Sequence, residues 1–350
     1  MKNILLGDKK IGENSLPFII AEMSGNHNQS LERALKIVDE AALAGVDALK
    51  VQTYTADTMT IDFSKNEFFI QSDKNLWKGK SLFELYKEAY TPWEWHKPIQ
   101  QRCKERGIIF FSTPFDETAV DFLEDLKVPF YKVASFENTD LKLIKKIATT
   151  GKPIIISTGM ASIADLHETV SFVKENQHND LILLKCTSAY PSSPKEVNLK
   201  TIPHLREMFD VHVGLSDHTL GLGAAMASVA LGATVIEKHF TLSRADGGVD
   251  SAFSLEPDEL AMLVKESKNA FHALGKVCYE KTEVEKVSAI YKRSLYVVKD
   301  VKKGEVFSSE NVRSIRPGLG LPTKYYEDVI GRVSLQDIEM GTPLTWKLIF

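Results

Sequence analysis

Two histidines, His218 and His239, each stand just past a short run of strand-forming residues, Val211 to Leu215 and Thr234 to Lys238. Between the runs lies a small-residue stretch of helical character, Leu222 to Leu231. A strand–helix–strand unit of that length brings both strand ends to the same edge of a parallel sheet. Two imidazoles on neighbouring strand ends can share one metal ion, here with Asp217 and Glu237 close by in sequence. Either histidine taken alone is as readily a hydrogen-bonded structural residue. The rest of the chain repeats the pattern: Glu22, then Asn26 and His27, follow one apolar run, and Lys50 and Gln52 alternate with Leu49 and Val51 on another. Later runs lead into Ser112 and Thr113, Lys132 and Ser135, Ser157 to Gly159, and Lys185, Thr187, Ser188 and Tyr190. A single lysine at a strand end often snorkels to solvent, and Ser, Thr and Gly after strands are common turn residues. Their recurrence at successive exits, around two histidines and Glu22, points instead to one site. Lysines and hydroxyls suit a phosphate and a carboxylate, and a metal on the two histidines suits a carbonyl oxygen.

The elements that must position these groups are short apolar strands, each followed by a helical stretch. Candidate strands are Phe18–Ala21, Ala48–Gln52, Ile108–Ser112, Phe130–Val133, Pro153–Ser157, Leu181–Cys186, Val211–Leu215 and Thr234–Lys238. The clearest helix starts after Ser30, carries Leu31, Ala34, Leu35, Val38 and Ala42 at helical spacing, and ends at Gly45. Others fit Trp93–Arg106, Glu117–Leu126, Leu141–Thr149, Ile163–Glu175 and Asp258–Leu274. This alternation predicts a (β/α)8 TIM barrel, with its chemistry at the carboxyl ends of the strands. Leu49 and Val51 then face the helices, so Lys50 and Gln52 point into the barrel. A doubly wound open sheet is the alternative, but no GxGxxG follows the first strand.

Composition narrows the function classes. A net charge of −4 over 350 residues gives no general attraction to nucleic acid or to an anionic membrane. Cys103, Cys186 and Cys278 are widely spaced, without a CxxC pair, which indicates neither a disulfide framework nor a structural zinc site. No apolar run is long enough to span a bilayer, and the amino-terminal segment carries no secretory pattern, so a cytoplasmic protein is expected. After Gly275 charged residues dominate, which reads as a linker at 279–292. Arg293–Phe350 then shows short strands and glycine turns, a small β-rich domain that needs docking on something larger.

Taken in order, AEMSGNHNQS, LKVQTYTAD, STPFD, YKVASFE, ISTGM, LKCTSAYP, GLSDHT and VIEKHFT resemble the sialic acid synthase family, which condenses phosphoenolpyruvate with an open-chain amino sugar to give a nonulosonic acid. The tail, RSLYVVKDVKKGEVFSSENVRSIRPGLG, is similar to that family's C-terminal antifreeze-like (SAF) domain. The resemblance spans the whole chain, with a catalytic barrel at 1–278. Within the family, the LWKGKSLFELYKEAYTPWEWH insert and the VQTYTAD segment are similar to pseudaminic acid synthases, whose sugar is a diacetamido trideoxy hexose.

By matching motif, the resemblance implies that Lys50, Thr113, Lys132, Ser135, Ser157, Thr187 and Ser188 hold phosphoenolpyruvate. Ser188 stands where a sialic acid synthase often has Asn. Glu22 matches the family's catalytic carboxylate, and His218 and His239 its ligands for Mn²⁺, Co²⁺ or Mg²⁺. Gln52, Asn75, Tyr190 and Asp250 match positions near the sugar. Arg316, on the Pro-Gly turn of RPGLG, matches an arginine that enters the barrel of the other subunit, which implies a domain-swapped homodimer. Synthesis of N-acetylneuraminic or legionaminic acid by the same chemistry is the alternative within the family. A non-catalytic carbohydrate-binding protein is the alternative outside it, though such a module needs none of Glu22, Lys50, Lys132, His218 and His239.

Overall fold

The computed structural model describes residues 1–72, 76–176 and 180–350, and these form two units, Met1–Gly275 and Lys276–Phe350. The first begins with a hairpin, β1 (Ile4–Leu6) and β2 (Lys9–Ile11), turning through Gly7 at a φ of 62° that favours glycine. Eight parallel strands follow: β3 (Phe18–Glu22), β4 (Ala48–Thr53), β5 (Ile109–Pro114), β6 (Tyr131–Val133), β7 (Ile154–Ser157), β8 (Leu181–Cys186), β9 (His212–Asp217) and β10 (Val235–His239). They pair in chain order, and β10 closes the barrel on β3. Each predicted strand is present, within a few residues at its ends.

Between the strands run α1 (Leu31–Ala44), the short α2 (Ala56–Met59) and α3 (Leu82–Ala89), α4 (Trp93–Arg106), α5 (Glu117–Asp125), α6 (Leu141–Ala148), α7 (Ile163–Glu175), α8 (Thr201–Phe209) and α9 (Gly223–Ala230), and α10 (Pro257–Leu274) follows the last strand. Helix α1 forms as its sequence specifies: the Ser30 side chain accepts from the Arg33 N–H, and Gly45 closes the helix at φ 83°. Its buried stripe, Ala34, Ile37, Val38 and Ala41, packs on the outer faces of the strands, together with Leu49 and Val51. The hairpin, α2, α3 and α8 escaped the sequence reading.

Alternation along the strands creates a second apolar cluster inside the barrel. Phe18, Ile20, Ala48, Phe111, Phe130, Ile155, Ile182 and Val235 pack with Ile4, Leu6 and Ile11 of the hairpin, so the amino-terminal end of the barrel is closed by hydrocarbon. Burying such side chains is worth about 1.5–3 kcal/mol each. Only the opposite end remains for polar chemistry.

The second unit opens with α11 (Glu283–Ser288), capped by Thr282 and Glu285 in reciprocal hydrogen bonds, inside the stretch expected as linker. Strands β11 (Ser294–Val297) and β12 (Val312–Ile315) pair antiparallel, α12 spans Tyr326–Val329, and Leu295, Val297, Val301, Phe307, Val312 and Leu344 form a core of their own. No helix among the described residues is long and apolar enough to cross a membrane.

Candidate active site

Where the inward faces of the strands reach the carboxyl end of the barrel, hydrocarbon gives way to buried charge. Two residues beyond Ala48 is Lys50, beyond Phe130 is Lys132, beyond Ile20 is Glu22, and beyond Val235 is Glu237. All four are buried. The Lys50 ammonium lies 3.2 Å from Glu22 Oε2, 3.3 Å from Glu237 Oε2 and 3.3 Å from Thr113 Oγ1. Gln52 donates to Glu22 Oε1 at 2.8 Å and to Ser24 Oγ at 3.0 Å, and Ser216 donates to Glu237 Oε1 at 3.0 Å. Lys132 donates to Ser157 Oγ at 2.6 Å and to its neighbouring carbonyl, Val133 O, at 3.0 Å.

Charged groups held this close away from water shift one another's proton affinities. Burial pushes the Lys132 ammonium down to about 8. Burial opposes the Glu237 carboxylate as well, but Lys132 and Lys50 outweigh it and hold the group at about 2. Glu22 moves the other way: burial raises it more than Lys50 lowers it, and the Glu237 charge adds to the rise. The two carboxyls flanking Lys50 are therefore unequal, one firmly ionised and the other inclined to take a proton.

The histidines close one side of the same mouth. Strands β9 and β10 are neighbours, and the His218 and His239 ring centroids lie 5.3 Å apart. His218 Nδ1 is 3.1 Å from the Thr187 carbonyl oxygen and 3.8 Å from Cys186 Sγ, which fixes the ring's orientation. His239 Nδ1 is buried without a hydrogen-bond partner and lies 3.8 Å from Asp250 Oδ2. Among the described residues no three His, Cys, Asp or Glu side chains form a ready metal cage. These two imidazoles are the groups able to hold a divalent ion, with its remaining positions open to small molecules.

Around this centre lie the other expected residues. Tyr190 packs its ring 4.5 Å from that of His218 and 5.3 Å from that of Phe253. Asp250 accepts from the Ser24 hydroxyl and is raised first by its burial. Ser135 accepts from the Gly159 N–H at 3.2 Å; a Cβ on Gly159 would come within 2.2 Å of Ser188 Oγ and 2.6 Å of Ser135 Oγ, so only glycine leaves room for both hydroxyls. Thr187 accepts from Lys185 at 3.2 Å. The barrel mouth thus gathers Glu22, Lys50, Gln52, Thr113, Lys132, Ser135, Ser157, Thr187, Ser188, Tyr190, His218, His239 and Asp250. Asn75 lies outside the described residues. Arg316 belongs to the second unit, where it lines a groove with Arg293, Arg313 and Tyr326.

Sequence reasoning named Glu237 only as a neighbour of His239, without a role in the chemistry, and did not single out Glu137. Glu237 had a readable signal, since strand alternation puts it on the same inward face as His239. Glu137, in the turn after β6, has a buried Oε2 without a hydrogen-bond partner and is raised to about 7, chiefly by burial. Nothing in its local pattern distinguishes it from a surface glutamate.

A model described as the NeuB family matches residues 37–279, and one described as the SAF domain matches residues 292–349. The chain belongs to the NeuB family. Among its relatives, a pseudaminic acid synthase of Campylobacter jejuni subsp. jejuni serotype O:23/36 is 45% identical over 96% of each chain. An N,N'-diacetyllegionaminic acid synthase of Campylobacter jejuni subsp. jejuni serotype O:2 is 36% identical, over 91% of this chain and 96% of the relative. The crystal structure of an N-acetylneuraminic acid (sialic acid) synthetase from Leptospira borgpetersenii serovar Hardjo-bovis, in complex with citrate, superposes with a TM-score of 0.73 at 33% identity, covering 82% of this chain and 95% of that one. The NeuB-family barrel and the SAF domain therefore account for the eight-stranded closure and for the small antiparallel sheet after it.

Proposed function

We propose that the protein is a pseudaminic acid synthase, which joins phosphoenolpyruvate to 2,4-diacetamido-2,4,6-trideoxy-L-altrose and releases phosphate. The single observation that carries the reading is the buried Lys50–Glu22–Glu237–Lys132 array beside two imidazoles at the barrel mouth. A binding module has no use for unequal carboxyls around a buried ammonium. The higher identity to a pseudaminic acid synthase than to a legionaminic acid synthase supports the choice of sugar.

Phosphoenolpyruvate carries a phosphate and a carboxylate, which match the two ammoniums and the hydroxyls of Thr113, Ser135, Ser157, Thr187 and Ser188. Gln52, Asn75, Tyr190 and Asp250 would hold the opened sugar so that its aldehyde carbon faces C3 of the enol. His218 and His239 fit a divalent ion, Mn²⁺, Co²⁺ or Mg²⁺, because the buried Nδ1 of His239 lacks a partner; such an ion would stabilise negative charge on the aldehyde oxygen. As the C–C bond forms, the enol electrons leave C2 electron-poor. Water adds to C2, and Glu22, whose carboxyl is raised by burial, takes its proton. Collapse of the resulting tetrahedral centre breaks the C2–O bond and frees phosphate. Lys50 and Lys132 hold the departing anion. Arg316, in this reading, enters the barrel of a second copy and completes its sugar site. A cytoplasmic location accords with Cys103, Cys186 and Cys278 all being free thiols.

The test is phosphate release from phosphoenolpyruvate across a panel of amino sugars. Turnover with the L-altrose sugar and not with N-acetylmannosamine is expected; preference for the legionaminic precursor would move the assignment within the family, and no turnover with any sugar would end it. With ¹⁸O in the bridging position, the label should leave in phosphate.

Mixed dimers test the placing of Arg316. Arg316→Ala and Lys132→Ala proteins, each nearly inactive, should regain roughly a quarter of wild-type activity when refolded together, because half the dimers are mixed and each of those holds one intact site. No recovery in dimers shown to be mixed would put Arg316 elsewhere.

A further inference from the structure

Asp217 and Lys238 adjoin the two histidines in sequence but point the other way. Alternation sends His218 and His239 into the barrel mouth, while Asp217 and Lys238 face outward on the same side as Leu215, Ile236 and Phe240, which pack under the helices. Both side chains are 0% exposed. They are register partners in the last rung between β9 and β10, and the Lys238 ammonium donates to Asp217 Oδ2 at 2.7 Å. A second bond runs from the same ammonium to the Thr219 carbonyl oxygen at 2.6 Å. Asp217 Oδ1 in turn accepts from the Thr219 N–H at 2.9 Å and from its hydroxyl at 2.8 Å. The residues on both sides of His218 are thus tied to one ammonium, and that ammonium belongs to the residue preceding His239. An ion pair in this layer is an expensive way to hold two strands, since apolar side chains of similar volume do so as well or better. Its geometry suits another purpose.

We propose that Asp217 and Lys238 are positioning residues, a tie behind the barrel wall that sets the spacing and direction of the His218 and His239 imidazoles. The proposal rests on the reading of those imidazoles as ligands of a divalent ion. Two strand ends at a barrel rim, each followed by a loop, can shift relative to each other by fractions of an ångström. A two-ligand site is sensitive to that shift, because each ring must present a nitrogen at the bonding distance of about 2.0–2.1 Å from one point. Groups that hydrogen-bond a ligating imidazole directly are typically worth 10- to 100-fold in metal affinity, and a tie through the adjoining backbone is expected to reach the same range.

The experiment titrates metal-free protein with Mn²⁺ alone, reading affinity by calorimetry, with thermal melting and phosphoenolpyruvate affinity measured on the same samples. Lys238→Met strands the Asp217 carboxylate in an apolar layer and should lower the melting temperature. The double variant Asp217→Asn with Lys238→Met removes both charges and should recover most of that loss. Both should bind Mn²⁺ 10- to 100-fold more weakly than wild type while keeping its phosphoenolpyruvate affinity. Should the single variant prove insoluble, the double variant decides. Wild-type Mn²⁺ affinity in a folded double variant would overturn the tie while leaving the metal reading intact. Equal Mn²⁺ binding by wild type and His218→Ala would overturn the metal reading itself, and the tie with it.

Discussion

The two ends of the barrel interior are built from the same strands and do opposite things. At the amino end, Phe18, Phe111, Phe130 and the hairpin's Ile4, Leu6 and Ile11 fill the space with apolar atoms, and only packing specifies who sits where. Two residues further along the same strands, Lys50, Lys132, Glu22 and Glu237 replace them, equally buried. Burying an ammonium or a carboxylate costs several kcal/mol even after the surroundings relax. The lower end lowers the free energy of folding; the upper end gives some of it back to hold charges ready for a ligand. The difference separates what each end contributes, so variants at the two ends should fail in different ways.

The largest expected effect is at the upper end. Removing an imidazole, His239→Ala, should cut kcat by at least ~10²-fold, the size of a few kcal/mol of charge stabilisation. The protein should stay folded, because the ring's packing 4.9 Å from Phe253 is partly offset by relief of a buried Nδ1 that has no hydrogen-bond partner. Circular dichroism with steady-state kinetics checks both halves. A variant with full activity would remove the imidazoles from the chemistry.

At the lower end the signs reverse. Phe130 is fully buried, with the Phe111 ring 4.3 Å and the Phe18 ring 6.2 Å away. Phe130→Ala should cost about 3–5 kcal/mol of stability, read by denaturant unfolding of the barrel transition. The folded fraction should keep a kcat close to wild type. If kcat instead fell a hundredfold at unchanged stability, the two ends would not be separable, and Lys132, two residues on, would have moved with its strand.

Most of this architecture was legible in the chain. The strands were readable because parallel barrel strands are continuous apolar runs, and α1 because Ser30 and Gly45 mark its ends. Helix α8 was not: Lys200 supplies no side-chain cap and Pro203 sits inside the first turn, so Ile202, Leu205 and Phe209 stand without punctuation. The hairpin was hidden by its brevity, its three-residue strands being too short for alternation to register. In the site, residue types at strand exits gave the members of the cluster. They could not give Lys50 as the shared partner of two carboxyls, because that needs β3, β4 and β10 side by side, and only closure of the barrel puts β10 next to β3. Asp217 was readable by the alternation that places Glu237: one residue before His218, it turns its back on the site.

The smallest effect tests whether the buried charge at the upper end is there for a ligand. Lys132 is held at about 8, below the ordinary lysine value of 10.5, because its burial disfavours the ammonium. In the free protein it therefore loses its proton as pH rises through about 8, and with it the charge proposed to meet phosphoenolpyruvate. The value of kcat/KM for phosphoenolpyruvate, which reports the free enzyme, should fall above that pH by up to tenfold per unit. Stability should move oppositely. Between the folded and unfolded pKa values the unfolded chain binds more protons at this lysine, so its contribution to folding improves as pH rises over the same window. Lys132→Met has no proton to lose, so the unfolding free energy of wild type relative to this variant should rise from pH 7.5 to pH 9.5. A flat kcat/KM profile to pH 9.5, with a constant stability difference, would mean that Lys132 stays charged throughout, and that the upper end is held by its ion pairs as firmly as the lower end is held by its rings.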